Sequence, residues 1–195
     1  MNYGCIGEHL PHSFSREIHE RIGGYAYELK ELSPGELPAF LAARDFRGVN
    51  VTIPYKQAVI PCLHHIDATA LAIGAVNTVV NRNGKLYGYN TDLYGLTGLL
   101  RRAGLNLSGR RVLVLGTGGT SRTAAYAAQT LGAASVLKVS RTARDGAVTY
   151  EEALRNHSDA EIILNTTPCG MYPEPDAAPL SLKPFRSLRG VADVI

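Results

Sequence analysis

The sequence predicts an α/β protein built of two units, and three observations predict it. Short apolar strands alternate with helix-patterned segments from the first residues. One hairpin signal, Asn83-Gly84, interrupts that rhythm. A second strand–turn–helix series opens at Ser108. Alternation of this kind marks a mostly parallel sheet with helices on both faces. A length of 195 residues suits one large domain or two small ones. The expected division is a first domain over 1–92, a linking helix over 93–107 and a second domain over 108–195.

In the first unit, YGCIG (Tyr3–Gly7) reads as a short strand and SREIHERIG (Ser15–Gly23) as an amphipathic helix ending in glycine. Tyr25–Leu32 alternates like a strand, Gly35–Asp45 is helical, and Gly48–Pro54 is a strand again. A helix-like segment, YKQAVIPCL, follows that strand at once and places Thr52 and Lys56 on either side of Pro54. In AVNTVVNRNGKLYGYN, Asn83-Gly84 lies between two alternating runs. A type I′ turn needs two residues that tolerate positive φ, so a hairpin is expected there. Thr91–Gly104 reads as a helix capped by Thr91 or Asp92 and closed by Gly104.

In the second unit, RVLVL (Arg111–Leu115) is a buried strand that runs into a glycine turn and an Ala-rich helix. Ala134–Arg141 is the next strand, Thr149–His157 a helix, Ala160–Pro168 a third strand and Gly190–Ile195 a fourth. Tyr172–Pro184 is a proline-rich loop. No internal repeat and no low-complexity tract is visible.

Composition narrows the function classes. Apolar content of 45% with 19% charged residues describes a packed globular chain, not a disordered one. The net charge is only +3 and the basic residues are scattered, which argues against a nucleic-acid partner. No apolar run approaches the roughly 18 residues that cross a bilayer. MNYGCIGEHL lacks the basic and long apolar regions of a secretory leader. Cys5, Cys62 and Cys169 are odd in number and show no CxxC spacing. They read as reduced, buried thiols of a cytoplasmic protein and not as metal ligands.

Gly116, Gly118 and Ser121 occupy the three positions of a G-x-G-x-x-G/A fingerprint, with the required strand before and helix after. Gly116 allows the tight turn, Gly118 lets the backbone approach a pyrophosphate, and the third position asks for a small residue. The helix N-terminus adds free N–H groups and partial positive charge. This is a Rossmann-type dinucleotide site; the alternative is a tight turn without ligand. NAD sites usually carry Asp or Glu roughly 20 residues on, to hold the ribose 2′-OH. No acidic residue occurs from Thr117 to Arg144, and the next strand ends in SRTAR. Ser140, Arg141, Thr142 and Arg144 suit a 2′-phosphate, so NADP (NADPH) is expected as cofactor. The alternative is that these arginines are solvated loop residues.

The motifs, taken in order, closely resemble the shikimate dehydrogenase family. GEHLPHSFSREIH is similar to its G-x-x-x-x-H-S-x-S-P motif, GVNVTIPYK to its lysine motif, and AIGAVNTVV and GYNTD to the next two. GTGGTSRT, SRT and NTTPCGM match its cofactor domain, so the resemblance spans essentially the whole chain. It implies an N-terminal α/β substrate domain against a Rossmann domain, with the active site in the cleft between. It also implies NADPH-dependent reduction of 3-dehydroshikimate to shikimate, on the chorismate route to aromatic amino acids. The partner is then a small molecule and the chain a monomer or homodimer.

The resemblance assigns Lys56 and Asp92 as the catalytic pair. Ser13 and Ser15 match the hydroxyls that hold the substrate carboxylate, and Thr52 and Asn77 match polar groups around the ring hydroxyls. Cofactor contacts fall on Gly116, Thr117, Gly118, Gly119 and Thr120, on the SRTAR residues, and on Asn165, Thr166, Thr167 and Met171, with Gly170 in the same loop. Read without the family, Lys56 is a snorkelling surface lysine, Asp92, Ser13 and Ser15 are helix caps, and Asn77 is a buried amide satisfied by backbone.

Three positions depart from the family pattern. Arg16 replaces a proline at the start of the first helix, where a looser start is expected. Ser140 replaces a common asparagine. The family continues past Asp193-Val194-Ile195 with a tyrosine, further strands and a helix bearing a glutamine. The C-terminal half of the Rossmann sheet is therefore expected to be missing from these 195 residues. Three rivals stay open: a quinate/shikimate paralogue using NAD, a non-catalytic remnant that binds shikimate or nucleotide, and the tetrahydrofolate dehydrogenase group. HSFS and GYNTD speak against the last.

Overall fold

The computed structural model describes residues 1–11, 13–144 and 146–194. His12 of the HSFS motif and Ile195 of the last predicted strand lie outside the described residues. The chain divides into two compact units, Met1–Thr91 and Asp92–Ile195.

In the first unit the elements run β1 (Tyr3–Gly7), α1 (Ser15–Gly23), β2 (Glu28–Glu31), α2 (Leu37–Ala43), β3 (Gly48–Val51), a 3₁₀ turn (Ile60–Cys62), β4 (His65–Ile66), α3 (Ala68–Ile73), β5 (Thr78–Arg82) and β6 (Lys85–Tyr89). The strands form a six-stranded sheet in the order β2-β1-β3-β5-β6-β4. β1 pairs with β2 and β3 in parallel, while β5 is antiparallel to both β3 and β6. The hairpin forms as expected: Asn83 (φ 52°) and Gly84 (φ 78°) turn the chain, and Arg82 pairs with Lys85.

The sheet is covered on both sides, so β1 alternates between two cores. Ile6 packs with Val49, Val51, Val79, Leu37 and Leu41 on one face. Cys5 packs with Leu10 and Tyr27 on the other. α1 buries no residue of its own, and its stripe of Phe14, Ile18 and Ile22 stays exposed. Gly24 closes it in the left-handed region, donating its N–H to the Glu20 carbonyl.

One expectation fails. Tyr55–Leu63 is not a helix but a run of turns ending in the 3₁₀ segment Ile60–Cys62. Pro61 has no N–H to give to the Gln57 carbonyl. That carbonyl instead accepts Ile60 N–H at 3.1 Å, the three-residue spacing of a tighter helix.

The second unit contains α4 (Asp92–Arg102), β7 (Arg111–Leu115), α5 (Gly119–Thr130), β8 (Ser135–Ser140), β9 (Ala147–Thr149), α6 (Tyr150–Asn156), β10 (Ile162–Asn165) and β11 (Gly190–Asp193). All strands are parallel, in the order β11-β10-β7-β8-β9. Val112, Val114, Ile162 and Leu164 face α4 and α5 through Leu96, Leu100, Ala124, Ala127 and Ala128. Leu113, Leu115 and Ile163 face α6 and Phe185. Burial on both faces explains why RVLVL and EIILN read as continuous apolar runs. α4, expected as a linker, thus supplies two leucines to this core.

At the end of the sheet where β7, β10 and β11 begin, Glu161 gathers three arginines. Its carboxylate meets Arg110 at 2.8 Å, Arg189 at 3.3 Å and Arg111 at 3.9 Å, and accepts the Arg111 backbone N–H. Burial works to raise the Glu161 carboxyl, but the hydrogen bonds and charges of Arg110 and Arg111 win and hold it below the usual carboxylate range. Its stabilisation is therefore complete above the unfolded carboxyl value of about 4.3 and is lost as pH falls through the lower folded value. Glu161→Gln should lower Tm by several degrees at neutral pH. The gap to wild type should close in thermal scans taken progressively below about pH 4. A gap that persists unchanged into strong acid would show that charge is not what the site contributes.

Candidate active site

In the first unit the predicted residues gather where β1 and β3 end. Gly7 closes β1, and a Cβ there would stand 2.7 Å from Thr52 Cγ2, so the glycine lets Thr52 sit against the strand end. Thr52 N–H donates to the Ile6 carbonyl at 2.9 Å and its carbonyl accepts Tyr55 N–H at 2.8 Å. Lys56 follows in the turn, half-buried, with its backbone carbonyl accepting Val76 N–H at 2.7 Å. That bond ties the lysine turn to the segment that leads through Asn77 into β5. Burial pushes the Cys5 thiol up to about 11, against the pull of the Lys56 cation.

Ser13 and Ser15 lie on the chain entering α1, both half-buried. Neither caps the helix: Phe14 occupies the N-cap position without a side-chain bond. Ser13 Oγ instead accepts Ser15 N–H at 3.3 Å. Arg16, where a proline was the expected pattern, reaches back from α1 to the Tyr27 carbonyl at 3.0 Å.

Asn77 is 8% exposed and is held by side chains as well as backbone. Its Oδ1 accepts Thr91 N–H at 2.8 Å, and its Nδ2 donates to Thr91 Oγ1 at 2.9 Å. The AVNT and GYNTD motifs, 14 residues apart, therefore meet in one hydrogen-bond cluster. Asp92 opens α4, where the helix dipole favours a carboxylate. Sequence reasoning passed over Tyr27, Asn50, Thr78 and Thr91, which join this cluster. Asn50, Thr78 and Thr91 stood inside quoted motifs, but only the fold shows what they touch.

In the second unit the strand order reverses between β7 and β10, and ligands of open α/β sheets bind at such a switch point, outside the strands' C-terminal ends. Gly116 follows β7 with φ 112°, and a Cβ would stand 2.8 Å from Thr166 Oγ1 beyond β10. Both conditions demand glycine. Gly118 precedes α5 in extended conformation, and a Cβ there would meet nothing within 4 Å. That open backbone at a helix N-terminus fits a pyrophosphate. Ser121, at the third position, is fully buried and donates to the Gly118 carbonyl at 2.8 Å. Gly119 and Thr120 form the first turn of α5.

The SRTAR residues divide. Ser140 is buried, and its hydroxyl donates to the Thr142 carbonyl and accepts Thr142 N–H at 3.3 Å, so it shapes the turn. Arg141, Thr142 and Arg144 are exposed. Arg144 Nη2 donates to Thr117 Oγ1 at 3.4 Å, which sets one guanidinium beside the glycine turn. At the end of β10, Asn165 is 3% exposed; it donates to the Cys169 carbonyl and the Asp193 carboxylate and accepts from Thr167. Thr166 Oγ1 donates to the Leu115 carbonyl at 2.5 Å. These side chains brace the loop that carries Gly170 and the exposed Met171. Cys5 is buried and Cys62 and Cys169 are half-buried, all free thiols. Among the described residues no cluster of His, Cys, Asp or Glu could hold a metal ion, and no helix is long and apolar enough to cross a membrane.

Residues 5–79 match the shikimate dehydrogenase substrate binding domain. A curated relative, the shikimate dehydrogenase (NADP(+)) of Geobacillus kaustophilus, is 39% identical over 99% of this chain and 78% of its own. Shikimate dehydrogenase 1 of Peptoclostridium difficile superposes with a TM-score of 0.90 at 35% identity, over 100% of this chain and 78% of that one. The Thermus thermophilus shikimate 5-dehydrogenase, solved with NADP(H) and shikimate, gives a TM-score of 0.85 at 31% identity over 99% and 78%. On these likenesses, and on the motifs that carry them, the chain belongs to the shikimate dehydrogenase family.

Proposed function

We propose that this chain is an NADP-dependent oxidoreductase that interconverts 3-dehydroshikimate and shikimate, in the cytoplasm, as a monomer or homodimer. The observation that carries the cofactor half is the open glycine turn at the switch point, with Arg144 beside Thr117 and no acidic side chain from Thr117 to Arg144. The substrate half rests on the hydroxyl and amide groups gathered at the strand ends around Thr52, Lys56 and Asn77. The Thermus relative's complex supports the pairing of ligands.

When bound, NADP supplies the hydride acceptor. Gly116–Thr120 seat the pyrophosphate, and Arg141, Thr142 and Arg144 receive the 2′-phosphate. Asn165, Thr166 and Thr167 brace the loop bearing Met171 at the nicotinamide end. Ser13 and Ser15 hold the substrate carboxylate; Thr52 and Asn77 hold ring hydroxyls. Lys56 takes the proton from the alcohol during oxidation and returns it during reduction, and its positive charge stabilises the developing alkoxide. Asp92 is the second proton-handling group. The test is NADPH formation from shikimate, with NAD and quinate as parallel substrates. Turnover of quinate with NAD in preference would favour the paralogue instead.

Ser13→Ala and Ser15→Ala should each raise KM for shikimate more than they lower kcat. A carboxylate that does not change during reaction is bound equally in ground and transition states, and such binding acts on KM. Initial-rate kinetics check this; an unchanged KM in both variants means the carboxylate is held elsewhere.

A further inference from the structure

A directed chain of hydrogen bonds runs inside the first unit, from Tyr27 through Asn50 and Thr78 to Asn77. We propose that Tyr27, Asn50 and Thr78 are positioning residues that fix which atom of the Asn77 amide faces the substrate, an inference that rests on the shikimate reading above.

The links share one direction, and Thr78 Oγ1 lies nearer to Asn77 Oδ1, at 3.1 Å, than to its other hydroxyl neighbour Thr91 Oγ1, at 3.5 Å. Tyr27 is 3% exposed, and burial, with Cys5 and Tyr25 adding to it, holds its phenol protonated. The phenol donates to Asn50 Oδ1 at 2.5 Å. Asn50 stands opposite Cys5 on one side and Thr78 on the other. Its Nδ2 then lies 3.2 Å from Thr78 Oγ1 and 3.5 Å from the Asn77 carbonyl oxygen. The reverse amide orientation would set Oδ1 against that carbonyl, acceptor against acceptor. Thr78 Oγ1, having accepted from Asn50, sends its own proton to Asn77 Oδ1 at 3.1 Å. The Thr91 backbone N–H donates to the same oxygen at 2.8 Å. The Thr91 hydroxyl also lies within donating distance of it, at 3.2 Å, so Oδ1 is surrounded by protein donors. The side of the amide turned away from those donors is Nδ2, which also donates to Thr91 Oγ1, so what Asn77 would offer a ligand is a donor and not Oδ1. A donor suits a substrate oxygen whether it is hydroxyl or carbonyl, whereas an exposed Oδ1 would repel a carbonyl.

Tyr27 is itself clamped from α1. The His19 ring stacks on it at 4.0 Å and 9°, and Arg16 holds its carbonyl. α1, which follows Ser13 and opens at Ser15, is thus tied to the residue that starts the relay.

The test is a set of cycles: Tyr27→Phe and Thr78→Val, each alone and combined with Asn77→Ala. KM and kcat for shikimate are measured at saturating NADP, alongside shikimate Kd by calorimetry and Tm. Each single variant should raise KM and Kd for shikimate about three- to tenfold, the size of one net hydrogen bond, with kcat within about twofold. KM for NADP should not move. In the Asn77→Ala background neither change should matter further, because there is no amide left to orient. Thr78→Val keeps the test valid should Tyr27→Phe fold poorly. Equal effects in both backgrounds, or no effect in the single variants, overturns the inference and leaves the shikimate reading standing. A wild type that neither binds nor oxidises shikimate overturns both.

Discussion

Lys56→Ala should cut turnover of shikimate by roughly 10² to 10⁴-fold while the protein stays folded, the usual contribution of a positioned acid–base group. Position supports both halves of that expectation. The backbone carbonyl of residue 56 accepts Val76 N–H, and alanine keeps that bond. The half-buried side chain adds the cation whose pull already reaches the Cys5 thiol. Removing it takes away the amine that, when neutral, would take the alcohol proton and, as ammonium, would face a developing alkoxide. The measurement is kcat with saturating shikimate and NADP, with Tm as the check on folding. A variant that keeps more than half of wild-type kcat at unchanged Tm removes Lys56 from the chemistry.

The second large effect concerns cofactor choice. Arg141→Ala should weaken NADP binding by roughly ten- to a hundredfold and leave NAD nearly unchanged, since one charge-assisted hydrogen bond contributes about 1.5–3 kcal/mol. The structure sharpens the reason. The Ser140 hydroxyl is committed to Thr142, so recognition of a 2′-phosphate falls on the exposed Arg141, Thr142 and Arg144. Arg144→Ala should act in the same direction, because its guanidinium already stands at Thr117. Titrating both cofactors against wild type and variants decides it. Equal affinity of the wild type for NAD and NADP would show that these side chains do not read the phosphate.

Much of this architecture was legible in the sequence, because the signals were local. Tyr3–Gly7, Ser15–Gly23 and Arg111–Leu115 appear with the bounds their patterns suggest, and Asn83-Gly84 makes its hairpin. The failures have physical causes. Tyr55–Leu63 carries helical spacing, but Pro61 withholds one donor and the turn tightens. β4 and β9, two and three residues long, are too short to show a period and exist only through their neighbours. α3 was passed over although Asp67 caps it through Thr69 N–H and Gly74 closes it. At the site, motifs located Thr52, Lys56 and Asn77, and Thr78 stood beside Asn77 in the same motif without being singled out, yet Tyr27 carried no signal. Thr78 lies across the strand pair from Asn50, and Tyr27 reaches Asn50 through its side chain, relations that folding creates and spacing along the chain does not. Ser140 shows the converse: its place in the motif suggested a ligand contact, and folding spends its hydroxyl on the turn.

The gathering of Arg110, Arg111 and Arg189 on Glu161 lies at the opposite rim of the parallel sheet from the glycine turn. One rim carries charge-dependent stability; the other carries the proposed cofactor contacts. Proteins often trade robustness against activity because both draw on the same residues. Here the two traits are written on separate edges of one sheet. Selection, or an engineer, can therefore harden the Glu161 rim while retuning cofactor preference at the Arg141 rim, and the two sets of changes should combine additively, as distant sites do.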